Sequence, residues 1–311
     1  MSPQDRLEQL ASHLNFPQGL LTGQVAIITG SGQGIGAECA RLFANEGAKV
    51  VVADIDARQY FHSCQMFTSL CSEKAEQVAS AINASQPDRA ISVPGDILDP
   101  EYFPRLVKAT AEFGNGKINI IINNAGYTWD GVIHKMTDKQ WDTILAVHNT
   151  APFRLVRTAA PYFRVKDGQP RCIINISSTS GLHGNAGQAN YALAKAGVTG
   201  LTKTIAKEWG PQFGVRANTV AFGYILTRLT AAKEEGAYIT TPDGEKVALG
   251  IPGQQIKARK AGDAGESAYK DIPLGRPGTA TEAARSILAV ASPLFSYVNG
   301  QTISVTGGRN I

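Results

Sequence analysis

Four cysteines occur in 311 residues, at positions 39, 64, 71 and 172, and they form no CxxC pair and no metal-ligand spacing with the five histidines. That excludes a disulfide framework, indicates no metal site, and points to a reducing compartment, so a cytoplasmic location is expected. No apolar run approaches the roughly 18 residues that a membrane-spanning helix needs. The first residues carry Leu7, Leu10 and Leu14 at helical spacing among polar neighbours, unlike a secretory signal. Like charges never gather in a run, and Lys+Arg 30 against Asp+Glu 26 leaves a formal charge of only +4. A nucleic-acid-binding arm and a polybasic membrane anchor are thereby excluded, and a small-molecule partner is expected. There is no internal repeat and no low-complexity tract.

The chain does have enough apolar residues for a large core: 43% are hydrophobic and 18% charged. Glycine is in excess, 32 of 311 or about 10% against a usual 7% or so, which suits turns where backbone must come close to a ligand. From Gln24 onward, apolar strand-like runs alternate with helical segments: Val25–Thr29, Lys49–Ala53, Ala90–Pro94, Ile118–Ile122, Cys172–Ile176, Arg216–Val220 and Thr302–Val305. Strands that are apolar throughout, separated by helices, predict an α/β fold: a single doubly wound, Rossmann-like parallel sheet with helices on both faces. Residues 24–308 are expected to be one nucleotide-binding and catalytic domain. Residues 1–23 read as a helical lead-in, 57–72 as an insertion, and 228–271 as an extended substrate loop. In the last, YITTPDGEKVALGIP has the pattern of a hairpin around a Pro-Asp-Gly turn. The insertion is either a tolerated surface loop or a retained piece of intron, since ADID and EKAEQVASAIN would join directly without it.

After the first strand comes Thr29-Gly30-Ser31-Gly32-Gln33-Gly34-Ile35-Gly36 and then a helical run. Strand, glycine turn and helix in that order form a phosphate cradle, because the backbone can approach a pyrophosphate while free N–H groups point at it. Asp54, 18 residues beyond Gly36 at the end of the second strand, is placed to accept the ribose hydroxyls. A carboxylate there opposes a 2′-phosphate, so NAD(H) is favoured over NADP(H), although Arg58 or Lys74 beside the insertion can reach the same pocket.

Tyr191 and Lys195 are four apart and share a helix face, so an ammonium beside the phenol is expected to lower the tyrosine pKa toward a value useful in proton transfer. Ser178, thirteen residues before Tyr191, ends the strand CIINIS and falls on the same sheet edge as the phosphate turn. Leu182, Gln188, Tyr224 and the long loop are the candidate substrate contacts, and their apolar and amide character suits an uncharged carbonyl compound.

Together these motifs resemble the short-chain dehydrogenase/reductase family, and are similar in texture to its 3-oxoacyl-acyl-carrier-protein reductases. The resemblance rests on the glycine turn, Asp96-Ile97, Asn123-Asn124-Ala125-Gly126, Ser178, and the Tyr191/Lys195 pair, and it spans about Gly23 to Gly308. It implies hydride transfer between a nicotinamide cofactor and a ketone or secondary alcohol. Tyr191 would be the proton donor, Ser178 would position the substrate oxygen, and Lys195 would hold the nicotinamide ribose. Asp96 and Ile97 would lie beside the adenine, Asn123, Ala125 and Gly126 would line the cofactor groove, and Ile225 and Thr227 would meet the carboxamide. A homotetramer or homodimer is implied.

Two positions depart from the family pattern. His148 stands where an asparagine helps to hold a proton-relay water, with Asn149 one residue away on another helix face. Either the imidazole replaces the amide in the relay, or it is a packed helix residue. Phe222-Gly223 replaces the common Pro-Gly and predicts an aromatic wall near the nicotinamide. Two rival functions also remain at this level: a non-catalytic NAD-responsive subunit, and a hydrolase using Ser178 with His183.

Overall fold

The computed structural model describes residues 19–55, 72–233, 236–241, 244–251 and 269–310. The predicted N-terminal helix and almost all of the 57–72 insertion, Arg58 included, lie outside the described residues, as does the end of the substrate loop from 252 to 268.

Seven parallel strands form one sheet in the order β3-β2-β1-β4-β5-β6-β9. They are β1 (Val25–Thr29), β2 (Lys49–Ala53), β3 (Ala90–Ser92), β4 (Ile120–Asn123), β5 (Arg171–Ser178), β6 (Val215–Phe222) and β9 (Thr302–Val305). The central strands are buried along their whole length, as expected where helices cover both faces. Alternate side chains divide between two cores. Ile28, Val52, Ile122 and Ile174 pack with Phe43 of α1 (Gly34–Asn45) and Ile287 of α8 (Ala280–Ala291). Ile27, Val51, Ile121 and Ile173 pack on the other side with Leu106 of α3 (Tyr102–Phe113), Leu155 of α5 (Ala151–Phe163) and Ile205 of α7 (Ala189–Phe213). The remaining helices are α2 (Ser72–Ser85), α4 (Asp138–Leu145) and the short α6 (Thr179–His183).

The predicted strands are all present, with β5 and β6 longer than their apolar runs. Helix α7 ends at Gly214, whose left-handed φ of 66° turns the chain directly into β6. The predicted hairpin is an antiparallel pair, β7 (Tyr238–Thr240) with β8 (Lys246–Ala248). Phe222 is not a wall beside the nicotinamide: it is buried in the core on the α1/α8 side with Ile176 and Ile225. In a parallel strand that ends at residue 222, this side chain falls on the core face.

A buried polar chain ties the middle of the sheet to α7. Asn123 Nδ2 donates to Asn175 Oδ1, Asn175 Nδ2 to Thr202 Oγ1, and Thr219 Oγ1 to the same Thr202 oxygen, each at 2.8 Å, while Thr202 Oγ1 donates to Val198 O. Such a chain stabilises only while every member is satisfied. Thr202→Val keeps the volume but leaves Asn175 and Thr219 without their acceptor. It is expected to lower the unfolding free energy by about 1–3 kcal/mol in urea melts; an unchanged midpoint would show that the chain contributes nothing to stability.

Candidate active site

The sheet order reverses between β1 and β4, and the turns leaving these strands meet there. Thr29 Oγ1 accepts from the backbone N–H of both Asn124 and Ala125 at 3.1 Å, and Asn124 Nδ2 donates to the carbonyls of Thr29 and Gly30 at 2.9 and 3.1 Å. Gly30 has a φ of 65°, and a Cβ there would lie 2.7 Å from Ala125 Cα, so only glycine fits between the two turns. A Cβ at Gly36 would meet the Gly30 carbonyl and sit 2.7 Å from Asn124 Nδ2. Gly34, with φ 58° and open space around it, faces the cleft.

The cleft is open to solvent. Of the residues expected to bind a cofactor, Gly30, Gln33, Gly34, Ile35, Asp54, Asp96, Ile97, Ala125, Gly126 and Thr227 line it. Asn123 does not: its amide is spent in the sheet on Asn175, and Asn124 lines the cleft instead. Neighbouring residues face opposite ways where β4 runs out into its turn, so the twin asparagines do not both serve the cleft. Ile225 is buried in the core and pairs with Gly278 rather than facing the cleft. Gly36 is covered by the Gly30 turn.

At the ribose end, Asp54 Oδ2 accepts from Gly32 N–H at 2.6 Å and Oδ1 from Ile55 N–H at 2.7 Å. Burial pushes its carboxyl up, and the two backbone donors with the charges of Arg228 and Lys74 pull it back. Lys74 is exposed and does not line the cleft, and only its charge acts on Asp54. These features fit an adenosine diphosphate moiety: a close backbone approach, an uncapped helix N-terminus and a strand-end carboxylate. Gln33, Asp54 and Asp96 would hold the adenosine half, and the glycine turn the diphosphate.

The catalytic candidates gather at the next strand ends. Ser178 closes β5, its Oγ accepting from Ser180 N–H at 3.2 Å, and its hydroxyl lies near enough to the Tyr191 phenol to act on its pKa. Lys195 is buried, with Nζ 2.7 Å from the carbonyl of Ile176 and 5.5 Å from the Tyr191 ring centre. Burial pulls the ammonium down to about 7. The phenol is not lowered as expected from the sequence; burial pushes it up to about 12, opposed by the Ser178 hydroxyl and helped by the charge of Asp130. The correction has a simple cause. The lysine directs one N–H to a backbone carbonyl and lies 5.5 Å from the ring centre rather than at the phenol oxygen, so it does not offset the desolvation of the phenolate.

His148 lies in a π turn, Ala146–Thr150, that joins α4 to α5. Pro152 is the reason, because it has no N–H to give the His148 carbonyl four residues back. The imidazole is buried and edge-on to Tyr191, with ring centres 5.2 Å apart. Its Nε2 is 2.8 Å from the Tyr127 carbonyl, which can only accept, so Nε2 carries the proton and Nδ1 keeps a lone pair. That Nδ1 is buried with no partner among the described residues. Burial, then the charge of Lys195, hold this histidine neutral, well below its ordinary pKa. Asn149, as expected, faces elsewhere and donates to Ala194 O at 2.9 Å.

The substrate candidates divide. Leu182 is exposed beside the site. Gln188 braces the rim through Asp130, Ser180 and Asn185. Tyr224 is nearly buried and donates to Thr230 O at 3.2 Å, supporting the loop from beneath. His183 is exposed at the end of α6, away from any serine–histidine pairing. Sequence reading missed Asn190, wholly buried, whose Oδ1 accepts from Tyr191 N–H and whose Nδ2 donates to Trp129 O and Gln140 O. The hairpin of the extended substrate loop packs over the site: Leu229, Ile239, Val247 and Leu249 join one cluster with Tyr127, Val147 and Tyr191.

The sequence matches the short chain dehydrogenase family over residues 24–237. It is 35% identical to the 3-oxoacyl-[acyl-carrier-protein] reductase FabG of Thermotoga maritima over 93% of this chain and 98% of that protein. The corresponding enzyme of Vibrio cholerae is 35% identical over the same shares, and that of Aquifex aeolicus 32%. A crystal structure of a short-chain dehydrogenase/reductase, glucose/ribitol dehydrogenase, from Brucella melitensis superposes with a TM-score of 0.71 at 22% identity, covering 94% of this chain and 98% of that one. With its parallel sheet, glycine turn and Ser178–Tyr191–Lys195 cluster, the chain belongs to the short chain dehydrogenase family of nicotinamide-dependent oxidoreductases.

Proposed function

We propose that the chain reduces a ketone to a secondary alcohol, reversibly, with 3-oxoacyl groups or similar uncharged carbonyl compounds as substrates and NAD(H) favoured over NADP(H). The observation that carries this reading is the placing of the Ser178 hydroxyl and the Tyr191 phenol beside a buried lysine, on the sheet edge that also bears the phosphate turn. Similarity to the 3-oxoacyl reductases supports the acyl part of the substrate, and the Asp54 carboxylate supports the cofactor preference.

The nicotinamide cofactor supplies the hydride when bound. The chain supplies position and protons. Ser178 and Tyr191 offer two hydroxyls to one carbonyl oxygen, so charge developing on that oxygen meets donors already in place. Burial keeps the Tyr191 phenol protonated, ready to deliver its proton. In this reading Lys195 holds the nicotinamide ribose, and His148, with a free lone pair beside the pair, takes the relay position. The hairpin packed over Tyr191 keeps water from the reacting atoms.

A panel of 3-oxoacyl thioesters, simple ketones and secondary alcohols, each with NADH and NADPH, tests the reading. Tyr191→Phe is expected to lose about 10²–10⁴-fold in kcat/KM while still binding cofactor; full activity in this variant would sink the proposal. Asp54→Ala is expected to move the preference from NADH toward NADPH, measured as the ratio of kcat/KM values. The sign of the pH dependence follows from the two shifted groups. Reduction needs the protonated phenol, secure up to about 12, and the ammonium, which is lost as pH rises through about 7. Reductive kcat/KM should therefore fall above about pH 7, whereas oxidation, needing phenolate, should rise with pH. A reductive profile that stays flat to about pH 9 would remove the Lys195 charge from the mechanism.

A further inference from the structure

We infer that Asp130 is a specificity-determining residue, whose carboxylate excludes substrates that carry a negative charge next to the reacting carbonyl, and so selects esterified 3-oxoacyl groups over free 3-oxo acids. The inference rests on the ketone-reducing reading above. Asp130 lies on the loop after β4, which is stitched to the start of α7 just ahead of Tyr191. On either side of it, Gly131 N–H donates to Gly187 O at 2.8 Å and Asn190 Nδ2 to Trp129 O at 3.1 Å. Its own side chain continues the seam. Gln188 Nε2 donates to Asp130 Oδ1 at 3.1 Å, Gln188 Oε1 accepts from Ser180 Oγ at 2.9 Å, and Ser180 N–H donates to Ser178 Oγ at 3.2 Å. Three hydrogen bonds thus join this carboxylate to the hydroxyl that, in the proposed reaction, positions the substrate oxygen.

Asp130 is exposed at the rim. The desolvation its carboxyl does feel raises it, opposed by the Gln188 hydrogen bond, the charge of Lys233 on the loop after β6, and the Thr128 hydroxyl. Its field extends to the reacting centre, where it opposes ionisation of the Tyr191 phenol; among the described residues it is the one charge that registers there. A 3-oxo acid places its own carboxylate two bonds from the carbonyl carbon that Ser178 and Tyr191 address. Bringing that carbonyl to the phenol therefore brings two like charges together in a partly dehydrated space, whereas an ester or thioester at the same carbon brings none. Discrimination of this kind acts against the wrong substrate and needs no contact with the right one. The Gln188 amide, bound at both its oxygen and its nitrogen, holds the charge in place.

Steady-state reduction of ethyl acetoacetate, acetoacetate and 2-pentanone by wild type, Asp130→Asn and Asp130→Glu tests the inference. Wild type is expected to favour the ester over the free acid in kcat/KM by about tenfold or more, and Asp130→Asn to cut that ratio about fivefold, chiefly through a lower KM for acetoacetate. Asp130→Glu keeps the charge and is expected to keep most of the ratio. Added salt should narrow the ratio in wild type and leave that of Asp130→Asn unchanged. The uncharged 2-pentanone reports any general disturbance of the site. An ester-to-acid ratio of one or less in wild type would overturn the inference alone, as would an Asp130→Asn variant that loses activity on all three compounds equally and keeps the ratio, since that is the behaviour of a structural brace. Wild type that reduces neither the ester nor 2-pentanone with NADH or NADPH would overturn the ketone-reducing reading, and this inference with it.

Discussion

The clasp between the turns after β1 and β4 is the constraint on which the site depends. Thr29 receives two backbone N–H groups from the β4 turn, and Asn124 returns two bonds to the β1 turn. These bonds hold the switch point of the sheet at a fixed width, narrow enough that Gly30 can carry no Cβ. The phosphate turn, the floor of the cleft and the ends of β5 and β6 all take their positions from this junction. The buried chain from Asn123 through Asn175 to Thr202 carries the same registration across to α7, where Tyr191 and Lys195 sit. One residue of the Asn123-Asn124 pair serves the sheet and the other the cleft, so a single dipeptide couples structure to site.

Much of this was legible in the sequence because it depends on short-range pattern. Runs such as VAIIT and KVVVA announced buried parallel strands, and the order of strand, glycine turn and helix placed the nucleotide end. The four-residue spacing of Tyr191 and Lys195 put both on one helix face. What was not legible depends on direction and distance. Which of two adjacent asparagines faces the cleft is set by the pleat register, and Phe222 points into the core for the same reason. The rise of the Tyr191 pKa comes from burial under a hairpin some 50 residues later in the chain, which no local motif records. One signal was present and unread: Pro152, four residues after His148, marks the break that widens the helix.

The electrostatics of the site follow from dehydration more than from pairing. Phenol, ammonium and imidazole lie together in a space that disfavours the charged form of each, so tyrosine is held protonated, histidine neutral, and lysine near the midpoint of its titration at neutral pH. Of the three, only the lysine can change charge with little cost near pH 7. The hairpin, packed through Ile239, Val247 and Leu249, enforces this state, while the ion pair of Lys139 on α4 with Glu245 lies outside the dry region on the protein surface.

The π turn has a further consequence for how this chain can change over generations. It presses the His148 ring so close to Gly126 that a Cβ at residue 126 would collide with Cε1. The two positions are therefore interdependent: a side chain at 126 becomes admissible only after the imidazole has given way to something smaller. Mutational paths through this corner of the active site are ordered, with position 148 the one that must move first.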